Sequence, residues 1–221
     1  MFRAGADIID VGGESTRPGF SPVSADEELA RVIPVLELLK ARRIPASIDT
    51  YKVAVAERAV LAGARVINDI SGLSDPDMAR VAADTGAALV IVWNDPLPLK
   101  PFFEKKINAA LSAGVGRERI ILDPGVGFGE KTQADNIEAI RGLARLKAFG
   151  FPVLLGASRK SFIGGILGAP PSERLYGTVA ANVLGIAAGA DIIRVHDVAE
   201  NAQAAKVADA IIRGTFQAGD E

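Results

Sequence analysis

Apolar residues fall along this chain in short runs, and seven of those runs stop on a polar or charged residue. Residues 6–10 (ADIID) lead into GESTRPG, 44–49 (IPASID) end on Asp49, and 65–69 (RVIND) end on Asn68 and Asp69. Residues 87–94 end on Asn94, 119–123 on Asp123, 151–160 on Arg159 and Lys160, and 190–196 on Arg194 and His196. A parallel strand covered on both faces reads as a near-continuous apolar run. Polar groups at the C-terminal tips of such strands are where α/β barrels and doubly wound sheets place their chemistry. The pattern predicts a parallel α/β protein with its site at one end of the strands.

Helical spacing fills the intervals. Ser24 and Glu27 form a capping-box pattern ahead of Leu29, Val32, Ile33, Leu36 and Leu39, and Pro34 should kink that helix. Further helices are expected at 51–62, closing at Gly63, and at 75–85, with Pro76 in the first turn and an end near Gly86. Four more are expected at 101–113, 133–149, 172–188 and 198–213. Strict alternation of strand and helix implies right-handed crossovers in one domain spanning residues 1–221.

Composition narrows the chemistry. A net charge of −2 and the lack of a basic excess argue against a nucleic-acid or acidic-membrane partner. With no cysteine and one histidine, disulfides, thiolate metal sites, a Cys nucleophile and a multi-His zinc site are excluded. The apolar stretch 177–193 is interrupted by Asn182 and Asp191, too broken for a membrane span. A cytoplasmic protein is expected.

The run tips offer candidate chemistry. Asp123 opens a loop, Pro124-Gly125-Val126-Gly127-Phe128-Gly129, with glycines at alternate positions. A dinucleotide loop needs its last glycine to open a helix directly, whereas this one continues through Glu130, Lys131 and Thr132. Its glycines let the backbone pass close to a ligand and leave the Asp123 carboxylate at the mouth of the site; the plainer reading is an Asp that caps a turn. Lys160, beside Ser158, Arg159 and Ser161, can reach inward to a carbonyl or ring nitrogen, or sit in solvent. Arg194 and His196 alternate onto one side of a strand and suit a phosphate. The GESTRPG loop sets a hydroxyl next to a guanidinium, suited to closing over an anion.

Together DVGGESTRPG (10–19), SIDT (47–50), INDISGL (67–73), ILDPGVGFG (121–129), GASRKSFI (156–163) and RVHDV (194–198) resemble the dihydropteroate synthase family, from residue 4 to about residue 213. The resemblance implies a TIM-type (β/α)8 barrel. It implies a transferase of folate biosynthesis that condenses 6-hydroxymethyl-7,8-dihydropterin diphosphate with 4-aminobenzoate, releasing diphosphate. By resemblance, Asp49, Asn68, Asp123 and Lys160 line a pterin pocket, with Asp49, Asp123 and Lys160 carrying catalysis. Arg194 stacks on the pterin and, with His196 and Asn68, holds the diphosphate. Thr16 and Arg17 close over the diphosphate and aminobenzoate, and Phe128 and Ser161 lie on the aminobenzoate side. Mg²⁺ is the implied cofactor and a homodimer the implied assembly.

The chain departs from the family pattern in three places. The family's first strand and the loop after it, with an Asn that helps bind Mg²⁺, precede Met1, so seven of the eight strands are expected and no metal ligand is assigned. Val92, Trp93 and Asn94 replace a Met-His-Met type strand ending, and Glu130 reads as a one-residue insertion. Two other readings stand beside the synthase: a pterin-binding paralogue impaired in catalysis, and a barrel resembling methyltetrahydrofolate–corrinoid methyltransferases.

Overall fold

The structure, a computed structural model, describes residues 1–15, 21–129 and 131–215. The chain divides into two compact units, one of Asp7–Leu122 with Phe2, the other from Asp123 onward with Met1 and Arg3–Ala6.

In the first unit strands and helices alternate: β1 (Ile9–Gly12), α1 (Ala25–Ala41), β2 (Ala46–Asp49), α2 (Val53–Ala62), β3 (Val66–Asp69), α3 (Asp77–Thr85), β4 (Ala88–Val92), α4 (Leu99–Ser112) and β5 (Ile120–Asp123), whose last residue belongs to the second unit. The strands form one sheet in chain order, with β1/β2, β2/β3 and β3/β4 parallel. Register decides which residues share a face, because side chains alternate along a strand. Val11, Ile48, Ile67 and Leu89 are mutual partners and bury one face. The opposite face carries Asp10, Gly12, Ser47, Asp49 and Asn68, with Asp10 opposite Ser47 and Asp49 opposite both Gly12 and Asn68.

The second unit holds α5 (Gln133–Arg141), α6 (Leu143–Lys147), β6 (Leu154–Leu155), α7 (Ser161–Leu167), α8 (Leu175–Ala187), β7 (Ile192–Ile193) and α9 (Val198–Arg213). β6 and β7 pair in parallel. Leu143, Leu146, Phe151, Val153 and Leu155 are buried within it.

Local chemistry sets the ends of these elements, with some differences from expectation. Ser24 caps α1 through its side chain, but Glu27 pairs with Arg31 instead of returning to the cap, so only half of the capping box forms. The complete box is Thr132 with Asp135, at the start of α5. α1 runs through Pro34 in one piece. The single helix expected at 133–149 is two, divided at Gly142, a weak helix former. The helix expected from residue 172 begins at Leu175 after a 3-10 turn, and α7 is an additional helix. β6 and β7 are shorter than their apolar runs, so Arg194 and His196 lie beyond β7 and strand alternation is not what orients them.

Candidate active site

In the first unit the ends of β2 and β3 put Asp49 beside Asn68 in register. Asn68 is buried, and its Oδ1 has no hydrogen-bond partner among the described residues. A buried carbonyl oxygen without a donor is costly unless something else supplies one. Asp69, the next residue, points to the other face and is fully buried. It accepts from the Ser71 backbone and hydroxyl and from the Leu73 backbone N–H, so it builds the turn that follows β3. Burial pushes its carboxyl up against those bonds. Asn94 also serves the backbone, donating to the Ile70 carbonyl, and Trp93 donates its indole N–H to the Leu97 carbonyl.

The connection after β1 is anchored by ion pairs. Glu14 accepts from the Tyr51 hydroxyl at 2.8 Å, the Val23 backbone N–H at 2.9 Å and Lys52 Nζ at 2.6 Å. Lys52 also pairs with the buried Glu28 of α1. Burial works against the Lys52 ammonium, but the two carboxylates outweigh it and hold its pKa above the ordinary value. Glu14 is likewise held below the usual carboxylate range: burial opposes ionisation, and Lys52, Val23 and Tyr51 overcome it. The candidate residues Thr16 and Arg17 lie outside the described residues, as does Glu130.

In the second unit Asp123 is buried at the head of the glycine loop. Its Oδ1 accepts the Gly125 N–H at 2.7 Å, so it does cap a turn. Burial pushes its carboxyl up to about 6, against that bond and against the charges of Lys160, Arg194 and Lys131. Three cations therefore act on one buried carboxylate. Gly125, Gly127 and Gly129 all have positive φ (64°, 76° and 69°), which explains their alternate spacing. The loop lies against Lys160: a Cβ on Gly127 would be 2.7 Å from Lys160 Cδ. The Lys160 ammonium sits 4.2 Å from the centre of the Phe128 ring, a cation–π distance.

Ser158 Oγ lies 2.9 Å from His196 Nδ1 and also accepts the His196 backbone N–H. The tip of the β6 run thus holds His196. Arg159, in contrast, is tied to Asp197 through Nε and Nη2 and serves the architecture. Ser161 is the first residue of α7.

Lys131 was not among the candidates. Its Nζ donates to the Pro124 and Gly125 carbonyls at 3.1 and 2.8 Å, and burial lowers its pKa to about 8 despite Asp123. Nothing in its local sequence marks it, because its position depends on the three positive-φ glycines before it. Asp49 and Asn68 come together in the first unit. Asp123, Phe128, Lys160 and Arg194 come together in the second, with His196 bonded to Ser158.

Comparison with known proteins gives the class to which this fold and these side chains belong. The sequence profile of the pterin binding enzymes matches residues 1–196. The dihydropteroate synthase of Clostridium beijerinckii is 52% identical over 96% of this chain and 83% of its own length. A crystal structure of the Clostridium difficile dihydropteroate synthase, determined in the presence of pteroic acid, superposes with a TM-score of 0.92. It is 51% identical, and the match covers 96% of this chain and 84% of that one. The Xanthomonas albilineans dihydropteroate synthase, solved with 4-aminobenzoic acid, has a TM-score of 0.90 at 40% identity, covering 98% and 82% of the two chains.

The chain belongs to the pterin binding enzymes and, within them, to the dihydropteroate synthases, transferases of folate biosynthesis. Its fold class is the α/β, TIM-type barrel of those structures, here with seven strands among the described residues.

Proposed function

We propose that this chain joins 6-hydroxymethyl-7,8-dihydropterin diphosphate to 4-aminobenzoate through the side chains named above, as a single domain spanning residues 1–221. The observation that carries the assignment is the buried Asp123 carboxylate at the head of a glycine loop that packs against Lys160. A pterin ring presents an amino group and ring N–H that suit a carboxylate, and a carbonyl and ring nitrogens that suit an ammonium or an amide N–H. Asp49, Asn68, Asp123 and Lys160 are assigned to the pterin, whose N–H groups suit the Asn68 oxygen, which has no donor among the described residues. Arg194 stacks on the pterin, and with His196 it binds the diphosphate. Thr16 and Arg17 contact the diphosphate and aminobenzoate, and Phe128 and Ser161 the aminobenzoate.

The reaction breaks the bond between the pterin methylene carbon and the diphosphate oxygen, and the electron pair leaves with the diphosphate. Arg194 and His196 stabilise that developing charge. Asp49 and Asp123 stabilise the positive charge left on the pterin. The aromatic amine then forms the new C–N bond and gives up its proton to solvent. No protein nucleophile is required; the residues act by positioning and charge.

Mg²⁺ is the cofactor implied for the family. Among the described residues no three His, Asp or Glu side chains gather as a metal site; an Mg²⁺ bound through the substrate diphosphate needs only one or two protein groups. The partners are the small-molecule substrates and a second copy of the chain. Self-association is supported by the exposed apolar side chains of α8 and α9, Tyr176, Leu184, Val207 and Ile211, and the assigned compartment is the cytoplasm.

Titration calorimetry with the pterin diphosphate tests the pocket. Lys160→Ala and Asp123→Asn should each weaken affinity roughly tenfold or more, as loss of a charge-assisted hydrogen bond does. Unchanged affinity in both variants would remove the assigned pocket.

A further inference from the structure

Arg159 has a φ of 56°, a left-handed conformation that costs free energy for any residue with a Cβ. It stands between Ser158, which holds His196, and Lys160, which projects over Phe128. Such backbone persists only where its surroundings over-determine it, and the start of α8 supplies those surroundings.

Arg174, Gly177 and Thr178 lie three and four residues apart, on one face of the helix. The fully buried Thr178 accepts the Arg159 backbone N–H on its Oγ1 at 2.9 Å. The Arg174 guanidinium donates to the carbonyls of Arg159 at 3.0 Å, Lys160 at 3.4 Å and Ala169 at 2.9 Å. It lies across Gly164 of α7, where any Cβ would collide with it, and Gly177 leaves the space that Ile163 of α7 occupies. Both backbone polar groups of the left-handed residue are therefore held by the side chains of Thr178 in α8 and of Arg174, the N-cap of α8, while its own side chain is held by Asp197.

We propose that Arg174 and Thr178 are positioning residues for Lys160: they fix the turn at Arg159 and so set where the Lys160 ammonium stands. Neither touches substrate. The proposal rests on the assignment of Lys160 to the pterin site. It predicts that the contribution of Thr178 and Arg174 to pterin binding passes through Lys160.

A double-mutant cycle reads this directly, with the dissociation constant for the pterin diphosphate measured by calorimetry on the full chain. Thr178→Val, which replaces a hydroxyl by a methyl group of the same shape, should weaken binding roughly tenfold in the wild-type background, as expected for residues coupled through a shared turn. In the Lys160→Ala background the same change should cost less than about twofold, because the group it positions is gone. Arg174→Met should behave likewise, and Arg174→Lys should recover part of the loss. If Arg174→Met does not fold, Thr178→Val decides. An equal loss in both backgrounds, or no loss in the wild-type background while Lys160→Ala is damaging, overturns the positioning role alone. An unchanged affinity in Lys160→Ala overturns the site assignment, and the positioning role with it.

Discussion

Gly127 and Lys160 are fitted to each other: the loop glycine leaves only enough room for the lysine stem, and a Cβ there would lie 2.7 Å from Lys160 Cδ. The glycine also has a φ of 76°. Gly127→Ala therefore faces both strain and collision. It should lower stability by about 1 kcal/mol or more and displace the Lys160 ammonium from the Phe128 face. Chemical denaturation and pterin affinity, measured together, check this. A variant with wild-type values of both would show that the loop does not set the lysine.

Asp123 gives a pH signature. Its carboxyl is raised from 3.8 to about 6, chiefly by burial. Between those values the folded chain keeps a proton that the unfolded chain has released, so its contribution to stability falls as pH rises through that window and stays low above it. At pH 8 the ionised, buried carboxylate costs on the order of 2–3 kcal/mol. Asp123→Asn should then raise the melting temperature at pH 8 in the absence of ligand, with the gain vanishing below about pH 4. A variant less stable than wild type at pH 8 would contradict the account. The same substitution should weaken pterin binding, so the carboxylate is retained against its own cost to stability.

Lys52 bridges two carboxylates, the half-buried Glu14 and the fully buried Glu28. Removing the bridge leaves both without their cation, and breaking a buried pair typically costs about 3–5 kcal/mol. Lys52→Met should lower the free energy of unfolding by about 3 kcal/mol at neutral pH. A loss below about 1 kcal/mol, read from urea denaturation, would show that solvent reaches and relieves the two carboxylates.

The sheet was legible in the sequence because its signal is local. Continuous apolar runs mark buried parallel strands, and Gly63 and Gly86 close their helices where expected. The split at Gly142 and the extra helix α7 were less legible, since one glycine in an otherwise helical pattern does not by itself say whether the helix stops. In the site, Asp49 and Asn68 could be named from the run tips. Strand alternation separates Asn68 from Asp69, because partners across the register share a face and Asp69 sits on the apolar one. Three roles depended on tertiary placement that no spacing encodes. Arg159 turns away to Asp197, Lys131 folds back onto the Pro124 and Gly125 carbonyls, and Ser158 meets His196 from a distant run.

The most direct measurement of the central claim is the rate of 7,8-dihydropteroate formation from the pterin diphosphate and 4-aminobenzoate. Wild type should form product with one diphosphate released for each, and Lys160→Ala and Asp123→Asn should each be slower by roughly a hundredfold, the scale of losing a preorganised charged group from an active site. Binding of the pterin diphosphate without product from the wild-type chain, or undiminished rates in both variants, would contradict it.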